Sequence, residues 1–543
     1  MFSNFLSKTV RFVKSMKANP ATQHFMQHCK RVFAPNGKGG RGGPTVLIEL
    51  NEMHSAHIAY SYLANVLAME HDAEIHAYFP QAHANTRERV LFRIRKLLGA
   101  NTFGVYGSFG VTDFITIDTT AAQKRRAKTL AEEVLGSLSN KWDIEAITIN
   151  GVWIGDLIYD TYLKRVRKPT IDMMANDFQE FLLESLELFV FWEDYLNNHD
   201  VKAINVSHCV YNLAMPLRMA VARNIAVYQA NVSEVYRLNK DNLFAYNDFH
   251  HIRDRFASLP ESVKMDGIEE AKRRIQRRFS GEVGVDMAYS TKSAYSAQSH
   301  TRLLKVSSKK KILVATHCFF DSPHSYGNNI FPDFYDWLDF LGQMTLLTDY
   351  DWYVKTHPDY LPGTKEVIDE FIAKYPKLTL LPANASHHQI ISEGIDVALT
   401  VYGTIAFEYA ALGVLVINCS LNNPHIAFDF NMHPRDVEEY REMLLSLNTL
   451  EFHPNRQQVY EYYFMVNVYD TDNLFFDSSE RAIKLLGGYS AQFTEEAYMK
   501  WLNEWSLEKH LRIRASITNF IKSGDFRMDS RHLKIGVSSD MVA

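Results

Sequence analysis

A histidine that directly follows a short apolar segment is among the residues of this chain best suited to chemistry. The segment WYVK is predicted to be a buried strand, and Thr356, His357 and Pro358 come next. Ligands of open α/β sheets bind where parallel strands end, and an imidazole there can donate to a phosphate oxygen and offset its charge. Lys355 points to the same side of the extended strand. We therefore predict a catalytic role for His357 and an anion-binding role for Lys355.

A second strand end with suitable chemistry lies further along the chain. VALTV is predicted to be a strand and IAFEYAAL a helix, with Tyr402, Gly403 and Thr404 at the turn between them. Backbone N–H groups at the start of a helix can face an anion, and glycine allows close approach. Thr404 adds a hydroxyl donor, and Glu408 lies one turn further on the same helix face. Tyr402, Gly403 and Thr404 are therefore predicted to form a phosphate-binding turn.

The loop after the segment KKKILVATH is unusually polar. His317 ends that predicted strand, and Asp321, Ser322 and His324 follow it in the loop. A turn alone does not require so many polar side chains, so we expect His317, Ser322 and His324 to line the same ligand site. The spacing of His317, Asp321 and His324 would also permit metal ligation, but no metal site is predicted. Two Asp-x-Asp pairs are short and common in loops, and are given no metal role: Asp349 with Asp351, and Asp470 with Asp472.

The first half of the chain contains a further polar loop whose side chains can take up a proton. The loop after the predicted strand TVLIEL holds several polar side chains: Glu49, Asn51, Glu52, His54 and His57. A carboxylate or histidine there can act as a general base. Glu52 is the preferred base, and His54 is expected to contact the second substrate.

The segment GVWIGDLIYDTYLKR offers rival residues. Asp156 and Asp160 are alternative bases, and Tyr159 and Arg165 are expected to contact the second substrate. A helix that merely packs its apolar side chains explains the segment equally well. His208, after the predicted strand INVS, is a further residue expected at the site.

Composition excludes several classes of protein. The 543 residues are 46% hydrophobic and 22% charged, which is typical of a globular protein, and the net charge of -5 does not favour nucleic-acid binding. No apolar run approaches the roughly 20 residues of a transmembrane helix. The cysteines are too widely spaced for a zinc motif and too few for a disulfide framework, which favours a cytoplasmic, reducing compartment. They are Cys29, Cys209, Cys318 and Cys419.

Alternating strand and helix patterns predict an α/β protein with mostly parallel sheets. The chain exceeds what one core normally supports, and the alternation weakens near its middle and near its end. We predict five parts: residues 1–44 as an arm and Gly-rich linker, 45–245 as a first domain, 246–310 as an interdomain region, 311–488 as a second domain, and 489–543 as C-terminal helices that return to the first domain.

The N-terminal arm is basic. Met1 to Gly43 contains eight Lys or Arg and no Asp or Glu, and apolar residues alternate with basic ones at roughly helical spacing from Phe2 to Lys17. Such a helix can lie on an anionic inner-membrane surface. Two alternatives stay open, namely a solvated helix or tail and an organellar presequence.

Several motifs resemble those of bacterial enzymes that build surface carbohydrates. KTHP at Lys355 to Pro358 and the later YGTIAFEYAALGVLVI resemble the His-Pro and Ser/Thr signatures of bacterial sialyltransferases, Kdo transferases and teichoic-acid glycerophosphotransferases. GVWIGDLIYDTYLKR and HCFFDSPHSYGNNIFPDFYDWL are similar to segments of the same broader clan. The resemblance covers about Thr45 to Gly488. It implies the GT-B fold, in which two Rossmann-like domains face a cleft.

The resemblance also implies roles for single residues. His357 would contact the donor phosphate and Glu408 would bind the nucleotide ribose, while the first domain would bind the acceptor. GT-B transferases usually need no metal, and no cofactor is predicted besides the nucleotide-sugar substrate. The sialyltransferases of the clan carry an acidic-acidic-Gly motif as base. This chain has no such tripeptide near a strand end, so the base stays open.

The favoured function is therefore an inverting, metal-independent glycosyltransferase of surface polysaccharide or glycolipid synthesis. The resemblance favours a CMP-activated acidic sugar, such as Kdo or a nonulosonic acid, as donor. One alternative is polyol-phosphate transfer from a CDP-alcohol. The other is a membrane-associated scaffold that binds a sugar nucleotide without turnover.

Overall fold

The computed structural model describes residues 19–33, 42–80, 86–287, 290–295, 301–357, 360–469, 473–478 and 482–533. The basic segment from Phe2 to Lys17 lies outside the described residues, as do Pro358 and the pair Asp470 and Asp472. None of the described helices is both long enough and apolar enough to cross a bilayer.

The first domain is built on a six-stranded sheet with strand order β3-β2-β1-β6-β7-β8. All neighbours run parallel except β8, which is antiparallel to β7. The chain first builds outward from β1 on one side and then returns to build on its other side, so β1 and β6 form a topological switch point. The strands are β1 (Thr45–Glu49), β2 (Glu74–Tyr78), β3 (Val111–Ile115), the hairpin of β4 (Thr148–Ile149) and β5 (Val152–Trp153), β6 (Val201–Val206), β7 (Ala226–Ala230) and β8 (Val235–Leu238).

Helices cover both faces of this sheet. The helix from His54 to His71 is buried almost all round, which is expected where a helix lies between a sheet and a further layer. The helix from Ala121 to Ser137 begins with a capping box, in which Thr120 and Gln123 exchange hydrogen bonds. The helices are α1 (Pro20–Val32), α2 (His54–His71), α3 (Thr86–Leu98), α4 (Thr102–Ser108), α5 (Ala121–Ser137), α6 (Lys141–Glu145), α7 (Gly155–Tyr162), α8 (Asn176–Asn198) and α9 (Met215–Ala222).

Two helices from the region between the domains pack on the second domain. α10 (Ile252–Ser258) and α11 (Glu261–Phe279) share an apolar cluster with Phe407 and Tyr462 of that domain. Ile275 and Ala271 of α11 are buried in this cluster. The predicted interdomain region thus contributes a structural layer to the second domain.

The second domain is built on a five-stranded sheet that is parallel throughout, with strand order β11-β10-β9-β12-β13. Here β9 and β12 form the switch point, as β1 and β6 do in the first domain. Its elements are β9 (Lys311–Ala315), α12 (Phe334–Leu347), β10 (Asp351–Lys355), α13 (Thr364–Lys374), β11 (Leu378–Leu380), α14 (His387–Ser392), β12 (Val397–Thr400), α15 (Ile405–Ala411), β13 (Leu415–Asn418), α16 (Val437–Leu445) and α17 (Arg456–Asn467).

The chain then returns to the first domain. Leu474 and Phe475 already lie in the core of the first domain, ahead of the boundary predicted at Gly488. Trp501 packs edge-on against Tyr62 of α2. The C-terminal helices therefore form the outer layer that buries α2. They are α18 (Ala482–Leu485), α19 (Glu496–Glu504), α20 (Leu507–Ser523) and α21 (Ser530–Leu533).

The architecture is the predicted GT-B arrangement of two Rossmann-like α/β domains. One detail differs from the prediction. The edge strand β8 was not predicted, because its sequence VYRL is too short to show an alternating pattern.

Candidate functional site

A cleft of about 1030 Å³ lies between the two domains, at the carboxyl ends of both sheets. His208 and Tyr211 line it from the first domain. His317, Lys355 and Gly403 line it from the second. The switch points of the two sheets therefore open into one shared space, which is where open α/β sheets bind ligands.

His317 connects the two loops at the switch point of the second sheet. Its Nε2 atom accepts a hydrogen bond from the backbone N–H of Val401 at 3.1 Å and lies 3.0 Å from the Oγ1 atom of Thr400. The ring stacks on Phe334. Burial and, to a smaller extent, the nearby His357 lower the pKa of His317 to about 3. The imidazole is thus neutral, with its proton on Nδ1.

The turn after β12 is shaped by Thr400. The N–H of Gly403 donates to Thr400 Oγ1 at 3.1 Å. This amide was predicted to face an anion in the cleft, and that prediction is wrong. A Cβ atom on Gly403 would lie 2.8 Å from the same oxygen, which explains the glycine. The helix α15 that follows has only seven residues, so its dipole is small. Thr404 is exposed at its start and lines the cleft.

The wall beside this turn holds buried charges. Glu408 accepts hydrogen bonds from Arg278 Nε at 2.8 Å and from Tyr295 Oη at 2.7 Å. Lys355 is buried, and its Nζ atom donates to the carbonyl of Ala383 at 3.1 Å. Burial lowers the pKa of Lys355 to about 8, against the opposing attraction of Glu408. The predicted ribose ligand Glu408 is therefore already bonded to two protein side chains.

The remaining predicted residues of the second domain divide into two groups. His357 is exposed on the cleft wall. Tyr402 also lines the cleft, and its hydroxyl donates to the carbonyl of Ser322 at 3.0 Å, which links the two loops. His324 is fully buried and does not line the cleft.

Glu49 connects the ends of β1 and β6 at the switch point of the first sheet. Its Oε2 atom accepts from the backbone N–H of Ser207 at 2.9 Å. Burial raises the pKa of Glu49 to about 7, although hydrogen bonding to Ser207 acts in the opposite direction. The two domains therefore share one arrangement. A side chain at the end of the first strand, Glu49 after β1 or His317 after β9, accepts a hydrogen bond from the backbone amide that follows the neighbouring strand, β6 or β12.

His208 extends this arrangement into the cleft. Its Nδ1 atom lies 2.9 Å from Ser207 Oγ. With its proton on Nδ1, the ring donates to Ser207 Oγ and keeps a lone pair on Nε2. Burial lowers the pKa of His208, and the charge of Lys164 acts in the same direction. His208 is thus a neutral imidazole, and in this tautomer it can accept a proton at Nε2.

Tyr211 connects the two sides of the cleft. Its hydroxyl donates to Asp321 of the second domain, and Lys164 Nζ lies 4.0 Å from the centre of its ring. The backbone of Tyr211 has φ of 61°, an uncommon conformation for a non-glycine residue. Strained backbone of this kind persists where surrounding contacts hold it, and it often occurs at functional sites.

The first β-α loop does not face the cleft, so the placement of Glu52 and His54 there is corrected. His54 stacks on Tyr498 of α19, with ring centroids 4.5 Å apart. His57 bonds to the same tyrosine and to the carbonyl of Asn51. Glu52 is exposed but lies outside the cleft lining. The C-terminal helices cover this loop.

Asp156 is also absent from the cleft, and its burial explains why. It forms an ion pair with Arg218 in which both side chains are at most 2% exposed, with Nη1 to Oδ1 at 3.1 Å. The guanidinium lies between the rings of Trp153 and Phe244. Asp156 thus joins α7 to α9 in the core of the first domain.

Two of the residues predicted to contact the acceptor, Tyr159 and Asp160, lie in the domain interface. Asp160 bonds to His324 Nδ1 at 2.5 Å, and Tyr159 donates to Asp333 Oδ2 at 2.6 Å. Burial disfavours charge on His324, but Asp160 outweighs it and raises the pKa of the imidazole well above its ordinary value. Arg165 is exposed and pairs with Glu184. Only His208 of the predicted acceptor residues lines the cleft.

No three His, Cys, Asp or Glu side chains converge on a metal-binding geometry within the described part of the chain. His317 and His324 diverge, because one closes the switch point and the other enters the domain interface.

Sequence reasoning missed several cleft residues. Arg278 and Tyr295 come from the region predicted to be a linker, where only the basic pattern AKRRIQRRF gave a signal. Tyr211 and Lys164 are surrounded by ordinary packing residues. His387 is buried against Tyr409, with its Nδ1 atom 2.7 Å from the tyrosine hydroxyl.

The chain therefore belongs by architecture to the two-domain GT-B class. No protein-family model and no curated protein matches it. Among solved structures, a UDP-GlcNAc 2-epimerase of Methanocaldococcus jannaschii is 9% identical with a TM-score of 0.23, over 77% of this chain and 97% of that chain. A UDP-N-acetylglucosamine 2-epimerase of Rickettsia bellii is 12% identical with a TM-score of 0.25, over 78% and 94%. The glycotransferase of kitacinnamycin is 11% identical with a TM-score of 0.19, over 79% and 95%. At these values the likenesses carry no argument, and the fold class rests on the two sheets.

The buried Asp156–Arg218 pair yields a test of its role. Asp156→Ala should lower the free energy of unfolding by about 3 to 5 kcal/mol, because it leaves a buried guanidinium without its counter-charge. The double variant Asp156→Leu with Arg218→Met should recover most of that loss. Chemical denaturation measures both. A stable Asp156→Ala protein that has lost activity would contradict the structural role and return Asp156 to the catalytic candidates.

Proposed function

We propose that this chain is a glycosyltransferase that binds a nucleotide-activated sugar with its second domain and transfers the sugar to a hydroxyl group held in the cleft. The proposal depends on one observation above all. The two switch points face the same cleft, with a proton-accepting imidazole on the first-domain side and cationic and hydroxyl groups on the other. This is the arrangement that a single displacement between two substrates requires.

The donor side consists of His357, Lys355 and Thr404. Each lines the cleft at the end of a strand of the second sheet. A phosphate placed among them would receive a hydrogen bond from the Thr404 hydroxyl and favourable charge from Lys355. Arg278 also lines this wall, where its charge is paired with that of Glu408. These groups favour an anionic donor and stabilise the charge that develops on the leaving nucleotide.

The acceptor side consists of His208 and its supporting residues. The acceptor hydroxyl gives its proton to Nε2 of His208 while its oxygen forms a bond to the anomeric carbon of the donor. The bond from that carbon to the phosphate oxygen breaks in the same step, and its electron pair leaves with the nucleotide. Ser207 and Glu49 act as positioning residues that hold the Nδ1–H tautomer. A single displacement of this kind inverts the anomeric configuration, and the step uses no metal.

The identity of the nucleotide is a finer part of the proposal. The sequence resemblance favours a CMP-activated acidic sugar, and the positive group of Lys355 fits an anionic donor. A nucleoside-diphosphate sugar, which carries a second phosphate, is also an anionic donor. Binding measurements with a CMP-sugar and a UDP-sugar distinguish these two kinds of donor.

The donor side predicts how binding depends on single residues. The chain should bind a CMP-sugar or a UDP-sugar, and His357→Ala or Thr404→Val should weaken that binding by about 10- to 100-fold, as expected for a hydrogen bond to a charged group. Isothermal titration calorimetry measures both. His453→Ala is the control, because His453 is exposed outside the cleft. Absence of binding to both nucleotide classes would refute the proposal.

The acceptor side predicts the rate and its pH dependence. His208→Gln should lower kcat for nucleotide release by about 10²- to 10⁴-fold, with donor affinity unchanged because the donor contacts lie in the other domain. Burial lowers the pKa of His208, so the neutral base persists as the pH falls below 6.5. The acid limb of kcat/KM should therefore lie below pH 6.5 and disappear in the variant.

The control for this experiment is His199→Gln, since His199 is an exposed histidine of the same domain. An acid limb above pH 6.5 in the wild-type chain, or full activity of His208→Gln, would show that another group accepts the proton.

A further inference from the structure

An exposed apolar row runs along α3, on the edge of the first domain. Val90, Ile94, Leu97 and Leu98 occupy positions that share one face of a helix, and all four are exposed. Leu97 is 86% exposed and Leu98 is 58% exposed. Phe92 faces the other way and packs edge-on against Phe79 and Phe103. The helix is thus attached by one face and presents the α3 row, defined by these four residues, to its surroundings.

The same helix is strongly basic. Arg93 and Arg95 are exposed beside the α3 row. Lys96 pairs with Asp113 at 2.7 Å and lies over the ring of Phe114. The only acidic residue of the helix is Glu88. Its five basic residues are Arg87, Arg89, Arg93, Arg95 and Lys96.

Single exposed leucines are common on soluble proteins. Four apolar side chains in one row are different, because contiguous apolar surface marks a contact with a partner. The partner must also tolerate the arginines that flank the row. An anionic bilayer meets both conditions, since apolar side chains enter the boundary between head groups and acyl chains while Lys and Arg contact the phosphates.

We propose that α3 docks the first domain on the surface of a bilayer that contains anionic phospholipid. The α3 row enters the interface, and Arg93 and Arg95 contact the head groups. The contact is peripheral, and it is separate from the basic arm at the N-terminus.

The docking surface does not depend on the proposed transfer reaction. None of the α3 side chains that the structure describes, from Val90 to Leu98, lines the cleft, so nucleotide binding and membrane binding can fail independently. If both hold, the domain that carries the acceptor side is the one held at the membrane, which suits an acceptor attached to lipid.

Co-sedimentation of the full chain with vesicles tests the proposal. One set of vesicles is phosphatidylcholine alone, and the other contains phosphatidylglycerol at about one part in three. We expect binding to the second set only, and at least about tenfold weaker binding for the double variant Leu97→Glu with Leu98→Glu. Arg93→Glu with Arg95→Glu should weaken binding similarly, and added salt should weaken binding of the wild-type chain.

The second domain supplies a matched control. Leu346 and Leu347 at the end of α12 are 62% and 61% exposed, and the double variant Leu346→Glu with Leu347→Glu should bind as the wild-type chain does. Circular dichroism and nucleotide binding confirm that each variant is folded.

Three outcomes overturn the proposal. The first is absence of binding to both vesicle types. The second is loss of vesicle binding in a variant of the N-terminal arm with Lys8, Arg11 and Lys14 changed to Glu, while the Leu97 and Leu98 variant binds vesicles normally. The third is self-association of the wild-type chain that the Leu97 and Leu98 variant abolishes in sedimentation velocity, with no vesicle binding, because it identifies the α3 row as a contact between copies.

Discussion

The hydrogen bond from the Val401 amide to Nε2 of His317 is the contact on which the donor side depends. It requires a lone pair on Nε2, so it forms only while the imidazole is neutral. Burial supplies that condition by lowering the pKa of His317 to about 3. The bond ties the loop after β9 to the turn after β12, and Thr400 Oγ1 extends the link to the amide of Gly403. The position of Thr404 in the cleft follows from this link.

The first domain uses the same device with a different side chain. There a carboxylate, Glu49, accepts from the amide of Ser207 across the switch point. The repeated solution has a common cause. Where strand order reverses, the two loops diverge to opposite faces of the sheet, and the amides between them lose their ladder partners. A side chain that accepts from such an amide restores a partner and also fixes the neighbouring residue, which is His208 in one domain and Tyr402 in the other.

The fold and the placement of His357 and Thr404 at the cleft could be predicted from the sequence because both depend on local patterns. Alternating strands and helices indicate parallel sheets, and both residues come shortly after strands whose apolar character is evident. The first-domain side of the cleft could not be predicted, because contacts between distant residues decide it. Tyr498 stacks on the ring of His54 and forms a hydrogen bond with the ring of His57, although it lies 441 positions after His57 in the sequence. These contacts turn the first β-α loop away from the cleft. The sequence around Glu52 carries no sign of this cover.

Burial decides the other discrepancies. Asp156, Tyr159 and Asp160 are residue types that are common in active sites, but each forms a hydrogen bond with a buried side chain. The partners of Tyr159 and Asp160 belong to the second domain. Because the bonds to His324 and Asp333 cross the domain interface, they hold the two switch points at a fixed separation. Residues predicted to bind the acceptor therefore help instead to fix the width of the cleft.

A crystal structure of the chain with a bound nucleotide-sugar tests the central claim most directly. The account predicts a donor phosphate within hydrogen-bond distance of Thr404 and His357, with the anomeric carbon directed across the cleft toward Nε2 of His208. A nucleotide bound outside the cleft, or one whose sugar points away from His208, would contradict the account.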